Sequence, residues 1–107
     1  MLFHITTRSE WDHAIASPPY APASLASEGF VHLSIAEQWP RTAARFFRGR
    51  EDLVLLTIEP ARLAYAVRYE PADGEHFPHL FGPLDPHAVI EIAALVCDAN
   101  GVACLSR

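Results

Sequence analysis

The sequence has little cysteine, glycine and positive charge, and each shortage excludes some classes of protein. Its 107 residues include two cysteines and five glycines, with 8 basic against 13 acidic residues. Half of the residues are hydrophobic, which is enough for one core that requires neither disulfides nor a metal. The net charge of −5 opposes the electrostatic attraction on which bulk nucleic-acid binding depends. We therefore expect a single domain over residues 1–107 with no bulk nucleic-acid partner.

The familiar catalytic and targeting signatures are also missing. The chain has no phosphate-binding glycine loop, nucleophile elbow, zinc-protease signature or paired Cys-x-x-Cys motif. It lacks the run of about 18 apolar residues typical of a membrane span, and its N-terminus lacks the features of a secretion signal. These absences predict a cytoplasmic protein with no membrane partner.

Helix signals lie early in the chain and strand signals late. Residues 7–10 (Thr-Arg-Ser-Glu) and 34–37 (Ser-Ile-Ala-Glu) have the spacing of capping boxes, which predicts two helix starts. Pro40 lies too far into the second helix for its first turn, so we expect either a kink or a short turn before a new start. Strands are predicted at residues 2–6, 30–34, 53–58, 65–70, 79–81, 88–96 and 102–105. This order favours an α+β domain.

Cys97 and Cys104 flank Asn100-Gly101, the dipeptide most favoured in a two-residue hairpin turn. If that turn forms, the two cysteines face each other within disulfide distance. In a reducing compartment they would remain two free thiols that pack as small apolar residues.

Two segments place histidine among apolar neighbours: residues 29–34 (Gly-Phe-Val-His-Leu-Ser) and residues 76–82 (His-Phe-Pro-His-Leu-Phe-Gly). A buried polar group without a partner costs roughly 1–3 kcal/mol, so each histidine must either bond within the fold or serve a ligand. Strand alternation places Phe30, His32 and Ser34 on one face. Ser34 is therefore either a ligand contact or the cap of the next helix.

The second segment has two interpretations. His76 and His79 could join His32 as the three nitrogen ligands of a zinc site, although Pro78 disfavours a helical arrangement of the pair. Alternatively, residues 76–79 form a rigid turn before a strand.

Two further polar residues complete the set of candidates. Glu70 shares a strand face with Arg68, so it is either half of a surface ion pair or the carboxylate of a site. Gln38 lies one turn into the predicted second helix, close in sequence to Ser34.

Along almost its whole length the chain resembles the small bacterial domain-of-unknown-function family 952, DUF952. Two separated motifs occur in the family's order, one around His32 and one around His79. Phe81 departs from the family pattern, which commonly has tyrosine. The matching residues are 4–6, 10–11, Tyr20, 24–25, 28–34, Gln38, 46–47, 53–56, Glu70 and 77–84.

The resemblance implies a fold similar to that of ADP-ribosyltransferases. In that fold, two small antiparallel sheets form a cleft that holds NAD, here with two to three helices in the N-terminal half. It also implies that His4 holds a ribose and that Ser34 supplies the hydroxyl of the second motif. Glu70 is the candidate for the glutamate that stabilises positive charge, although it lacks the Glu-x-Glu or Gln-x-Glu setting of many such enzymes.

The resulting hypothesis is a domain that binds NAD or a related nucleotide and cleaves or transfers its ADP-ribose. Glu70 would stabilise the developing charge, and His79 would act as acid/base or position the ligand. The alternatives are a non-catalytic module that binds a small metabolite or a protein, and a histidine metal site. The predicted ligand-binding residues are His4, Phe30, His32, Ser34, Gln38 and Phe81.

Overall fold

The computed structural model describes residues 1–106 and contains two antiparallel sheets. The first sheet has the strand order β1-β3-β6-β7 and the second has the order β2-β5-β4. The predicted α+β class with two antiparallel sheets is confirmed, and its three α-helices lie in the first half of the chain. In chain order the elements are β1 (Leu2–Thr7), α1 (Arg8–Ala16), α2 (Ala23–Glu28), β2 (Val31–His32), α3 (Trp39–Phe46), β3 (Leu53–Ile58), a 3₁₀ turn (Pro60–Arg62), β4 (Val67–Ala72), β5 (Glu75–Leu80), a second 3₁₀ turn (Pro86–Ala88), β6 (Val89–Cys97) and β7 (Ala103–Ser106).

The two sheets are joined through the segment that contains β2. His32 pairs with His79 of β5 in the second sheet. Two residues later, Ser34 exchanges two backbone hydrogen bonds of 2.8 Å with Phe3 of β1 in the first sheet. Residues 31–34 therefore pass from one sheet to the other, and Ser34 lies at their junction.

The core is divided between the two faces of β3. Val54 and Leu56 pack in one cluster of buried residues with Trp11. Leu53 and Leu55 pack in a second cluster on the opposite face. A strand buried on both faces needs a nearly continuous apolar run, and residues 53–58, correctly predicted as a strand, provide one.

The first predicted capping box forms only in part, because the Thr7 cap is present but the Glu10 side chain bonds with Thr6. The hydroxyl of Thr7 caps α1 by accepting a hydrogen bond from the backbone N–H of Glu10 (3.1 Å). The Glu10 carboxylate accepts a hydrogen bond from Thr6 (2.9 Å). No helix within residues 1–106 is long and apolar enough to cross a membrane.

The second predicted capping box is wrong. Ser34 is engaged in strand pairing, and α3 begins five residues later at Trp39. The backbone N–H of Ile35 donates to the side-chain oxygen of Gln38 (3.1 Å), which stabilises a turn before the helix. Pro40 therefore lies in the first helical turn, where its missing N–H costs nothing, and Gln38 precedes the helix.

Residues 76–79 form part of a strand, so the interpretation as a rigid turn is wrong. They lie in β5, whose partner across the whole strand is β4. The turn lies earlier, at Asp73 and Gly74, which both have positive φ (51° and 79°). Aspartate tolerates this conformation better than most residues, and glycine adopts it freely.

The last hairpin has a longer loop than Asn100-Gly101 predicted. Cys97 pairs with Ala103 and Cys104 pairs with Val96, so the cysteines do not face each other. The Asp98 carboxylate accepts hydrogen bonds from two backbone N–H groups of the loop (2.8 and 2.9 Å), which widens the turn. Both cysteines are free, and Cys97 is buried whereas Cys104 is exposed.

Neither a helix nor a strand was predicted for the residues of α2. It is a six-residue helix with no buried side chain and no side-chain cap. Helices are recognised in sequence by a periodic apolar face and a polar cap. Since α2 has neither a fully buried side chain nor a polar cap, no pattern indicated it. It ends at Gly29, which has a φ of 89° and places Phe30 at the entry to β2.

Candidate functional site

A cleft of about 840 Å³ lies where β1, β2, α3 and the β4–β5 hairpin come together. Its volume falls within the range of roughly 300–1,000 Å³ that is typical of small-molecule sites. Four of the predicted ligand-binding residues line it: His4, His32, Ser34 and Gln38.

His4 is held in the cleft wall through both of its ring nitrogens. Its Nδ1 donates to the backbone carbonyl of His32 (2.6 Å), and its Nε2 lies 2.8 Å from the hydroxyl of Tyr20. Burial lowers the pKa of His4 to about 4, so the ring is neutral at pH 7. Burial also raises the pKa of Tyr20 to about 12, which keeps its hydroxyl protonated. His4 therefore binds the fold with both of its polar atoms.

Gln38 is used by the fold in a similar way. Its side chain is buried, with 4% of the residue exposed. Its oxygen accepts from the N–H of Ile35, and its nitrogen donates to the carbonyl of His76 (2.9 Å). The amide thereby connects the segment before α3 to β5, and so fixes one wall of the cleft.

Ser34 and His32 retain polar atoms for a ligand. Ser34 is only 6% exposed, but it lines the cleft and its hydroxyl has no hydrogen-bond partner within residues 1–106. His32 is about half exposed, and its Nε2 lies 3.0 Å from the carboxylate of Glu28. The junction between the sheets therefore presents one unpartnered hydroxyl next to an exposed imidazole.

Two ion pairs connect α3 to the β4–β5 hairpin at the cleft. Arg41 donates to both carboxylate oxygens of Glu75 (2.8 Å each), and Arg45 pairs with Asp73. Hydrogen bonding within the first pair raises the pKa of Arg41 and lowers that of Glu75. Because all four side chains line the cleft, these pairs set the charge at its edge.

The remaining predicted residues form a separate group, which we call the Glu70–His79 cluster. The Glu70 carboxylate accepts from Nδ1 of His79 (2.7 Å), and the His79 ring stacks on Phe30 with 3.9 Å between centroids. Phe81 lies 5.5 Å from Phe30. Arg68 lies over Phe81 at 5.1 Å, so the predicted surface ion pair between Arg68 and Glu70 is wrong.

His32 connects the cleft to the Glu70–His79 cluster. Its ring centroid is 4.8 Å from Phe30 and 5.4 Å from His79. The predicted residues thus form two adjoining groups, of which only the first lines the cleft.

The three histidines of the predicted zinc site do not come together. Side chains alternate along β5, so His76 faces the opposite side of the sheet from His79. Within residues 1–106, no three histidine, cysteine, aspartate or glutamate side chains are grouped to hold a metal ion.

Sequence reasoning missed several residues that line the cleft or bond with a residue of its wall. Arg41 and Arg45 are one helical turn apart, a spacing that could have marked them as neighbours. Phe77 was not among the predicted site residues, although it lines the cleft. Tyr20 contacts His4 across 16 positions of sequence, and no local pattern signals such a contact.

Comparisons with known proteins agree on one family and one close fold. The family model described as "Protein of unknown function (DUF952)" matches residues 5–92. The crystal structure of protein CC0527 from Caulobacter crescentus is similar, with a TM-score of 0.86 and 40% identity over 96% of this chain and 92% of that one. The solution NMR structure of CC0527 has a TM-score of 0.80 and 41% identity over 94% and 89% of the respective chains. No curated protein matches the sequence.

Proposed function

Since the chain belongs to the DUF952 family of proteins of unknown function, we propose from its own geometry that the cleft binds NAD or a related nucleotide. The observation that carries this proposal is the hydroxyl of Ser34, which lines the cleft at the junction of the two sheets and has no hydrogen-bond partner within residues 1–106. Among those residues, only Trp11 Nε1 is a fully buried side-chain polar atom without a partner, so the Ser34 oxygen is open to the cleft. A ribose or phosphate oxygen in the cleft would give this hydroxyl a hydrogen bond worth about 1 kcal/mol.

The walls of the cleft suit a planar ring. Phe46, Phe47 and Phe77 line it, and Phe46 is 66% exposed. Aromatic side chains stack with planar ligands and bury a large apolar area. An exposed phenylalanine at the cleft supplies such a surface without any rearrangement of the core.

The charges at the cleft favour a ligand with few negative charges. Arg41 and Arg45 have the planar donors that match phosphate oxygens. However, Glu28, Asp73 and Glu75 also line the cleft, so three carboxylates oppose two arginines. Phosphates would have to compete with Asp73 and Glu75 for the arginines. In NAD the cationic nicotinamide ring offsets part of the negative charge of the pyrophosphate. NAD therefore carries less net negative charge than a nucleoside triphosphate and suits this cleft better.

Binding is tested by calorimetric titration of the protein with NAD and with ATP. We expect NAD to bind more tightly than ATP, and Ser34→Ala to weaken NAD binding about tenfold, which corresponds to one hydrogen bond. Ser27→Ala is the matched control, because Ser27 donates within α2 and does not line the cleft. Equal NAD affinity in the wild type and Ser34→Ala, or no NAD binding, would contradict the proposal.

The Glu70–His79 pair favours a second candidate function, the cleavage or transfer of ADP-ribose. A carboxylate can stabilise the positive charge that develops on ribose as nicotinamide leaves. His79 would hold that carboxylate in place through its 2.7 Å hydrogen bond. The pair adjoins the cleft through His32, so this chemistry requires a ligand that extends past His32.

Cleavage is tested separately, by chromatography for nicotinamide after incubation with NAD and candidate acceptors. We expect Glu70→Gln to reduce nicotinamide release about 100-fold while leaving NAD affinity within a factor of two or so of wild type. If the wild type binds NAD but releases no more nicotinamide than Glu70→Gln, the cleft is a non-catalytic binding site.

A further inference from the structure

A chain of four hydrogen-bonding contacts runs from the cleft along one face of β1 to α1. It begins at the His32 carbonyl and His4 Nδ1 (2.6 Å) and continues from His4 Nε2 to the Tyr20 hydroxyl (2.8 Å). The Tyr20 hydroxyl lies 3.1 Å from that of Thr6, which lies 2.9 Å from the Glu10 carboxylate. Glu10 and Tyr20 line a second cavity of about 580 Å³, so the chain connects two cavities.

The four contacts require four protons, but the side chains in their usual neutral-pH forms supply three. A neutral imidazole contributes one proton, and the hydroxyls of Tyr20 and Thr6 contribute one each. The His32 carbonyl and the Glu10 carboxylate can only accept. One of the four contacts therefore lacks a proton until the chain takes one up.

We infer that this chain is a proton relay, which binds one proton from water and shares it between Glu10 and His4. With the proton on Glu10, hydrogen bonds point from Glu10 to Thr6, from Thr6 to Tyr20, and from Tyr20 to His4 Nε2. If each proton moves one place along the chain, Nε2 gains a proton and Glu10 becomes a carboxylate. Only N–H and O–H bonds form or break, and the total charge is the same in both arrangements.

The environment lowers the proton affinity of the imidazole end of the relay. Burial lowers the pKa of His4 to about 4. The charge of Glu10 favours the protonated ring, whereas the charge of His32 opposes it. Near Glu10, His13 shares the second cavity, and Arg50 is close enough to feel the carboxylate charge.

The relay ends next to the junction between the two sheets, where His4 donates to the carbonyl of His32, two residues before Ser34. Proton uptake changes the contact of His4 Nε2 with Tyr20, while Nδ1 of His4 keeps its bond to the His32 carbonyl. The charge of a residue in the cleft wall thus depends on the position of the proton. This inference does not depend on the identity of the ligand in the cleft.

The relay is tested by NMR, following the imidazole nitrogens of His4 and the carboxyl carbon of Glu10 as the pH is lowered. Groups that share a proton titrate as a pair, so we expect both signals to change in one common step. Thr6→Val removes the central hydroxyl with little change in shape, and should separate the two midpoints by about 1 pH unit or more. Thr6→Ser keeps a hydroxyl and should restore the common step.

Independent midpoints for His4 and Glu10 in the wild-type protein would overturn the inference. So would a Thr6→Val variant that keeps the common step. Tyr20→Phe provides a second break in the relay if Thr6→Val does not fold, because it removes only the hydroxyl from a ring that packs against Trp11.

Discussion

The cleft and the Glu70–His79 cluster use their polar residues in opposite ways. In the cleft, His4 and Gln38 bond with backbone groups or with Tyr20, and both ends of each side chain are occupied. In the cluster, Glu70 and His79 bond with each other. Two polar side chains that meet in this way can act together on a ligand, whereas side chains with both ends occupied position the backbone.

This difference shows that the family pattern contains residues that hold the fold together as well as residues that keep a polar atom free for a ligand. His4 and Gln38 belong to the pattern that pointed to a ligand site, yet their contacts hold β1, β2 and β5 together. Ser34, which could have been a helix cap, is the residue left with an unpartnered hydroxyl. The two regions can therefore be separated by experiments that measure stability apart from binding.

The largest expected effect is the pH dependence that His4 adds to stability. Its pKa is about 4 in the folded protein and about 6.5 when unfolded, so between these values the unfolded chain binds the proton more tightly. Stability is therefore lost as the pH falls from about 6.5 to about 4, by roughly 3 kcal/mol. Urea unfolding across this range should show a shallower pH dependence for His4→Gln than for wild type.

His87→Gln is the control for this measurement, because His87 is exposed and lies in a 3₁₀ turn away from the cleft. It should keep the wild-type pH dependence. An unchanged pH dependence in His4→Gln would show that His4 does not link stability to pH.

A smaller loss of stability is expected for Gln38→Ala. The substitution leaves the Ile35 N–H and the His76 carbonyl without their partner in a partly buried position, which should cost about 2 kcal/mol. Gln38→Glu keeps the acceptor and loses the donor, so its cost should come from the His76 contact alone. Chemical unfolding at pH 7 measures both, and a neutral Gln38→Ala would remove the structural role assigned to this residue.

The smallest effect is expected in a comparison of one phenylalanine from each region. Phe30→Leu removes the ring that stacks on His79 and should destabilise the protein by about 1 kcal/mol. Phe46→Leu, at an exposed position of the cleft, should change stability by less than about 0.5 kcal/mol. Thermal unfolding of the two variants checks this order, and equal losses would show that the cluster is no better packed than the cleft edge.

Local sequence patterns were enough for much of the fold. The α+β class, the first helix cap at Thr7 and the central strand β3 all follow from spacing over a few residues. Their physical causes are equally local: a side chain that caps nearby N–H groups, and an apolar run that requires burial on both faces. Patterns failed at α2, which has no buried face, and at Ser34, where pairing with Phe3 replaced helix capping.

The candidate site depended mostly on tertiary structure. Strand alternation predicted that His32 and Ser34 share a face, and both line the cleft, but it could not select their partners. His79 rather than Arg68 bonds with Glu70, and Tyr20 bonds with His4, because sheet pairing and loop paths bring these side chains within hydrogen-bond distance.

The types of residue at the two histidine motifs, and the strands that carry them, were thus contained in the sequence. Which of those residues find hydrogen-bond partners within the fold, and which do not, was decided only on folding. The reason is that a hydrogen bond is short and directional, so it forms only once the register of both sheets has set the positions of donor and acceptor. Ser34 illustrates both contributions: its face follows from alternation along the chain, and its unpartnered hydroxyl follows from the junction of the two sheets.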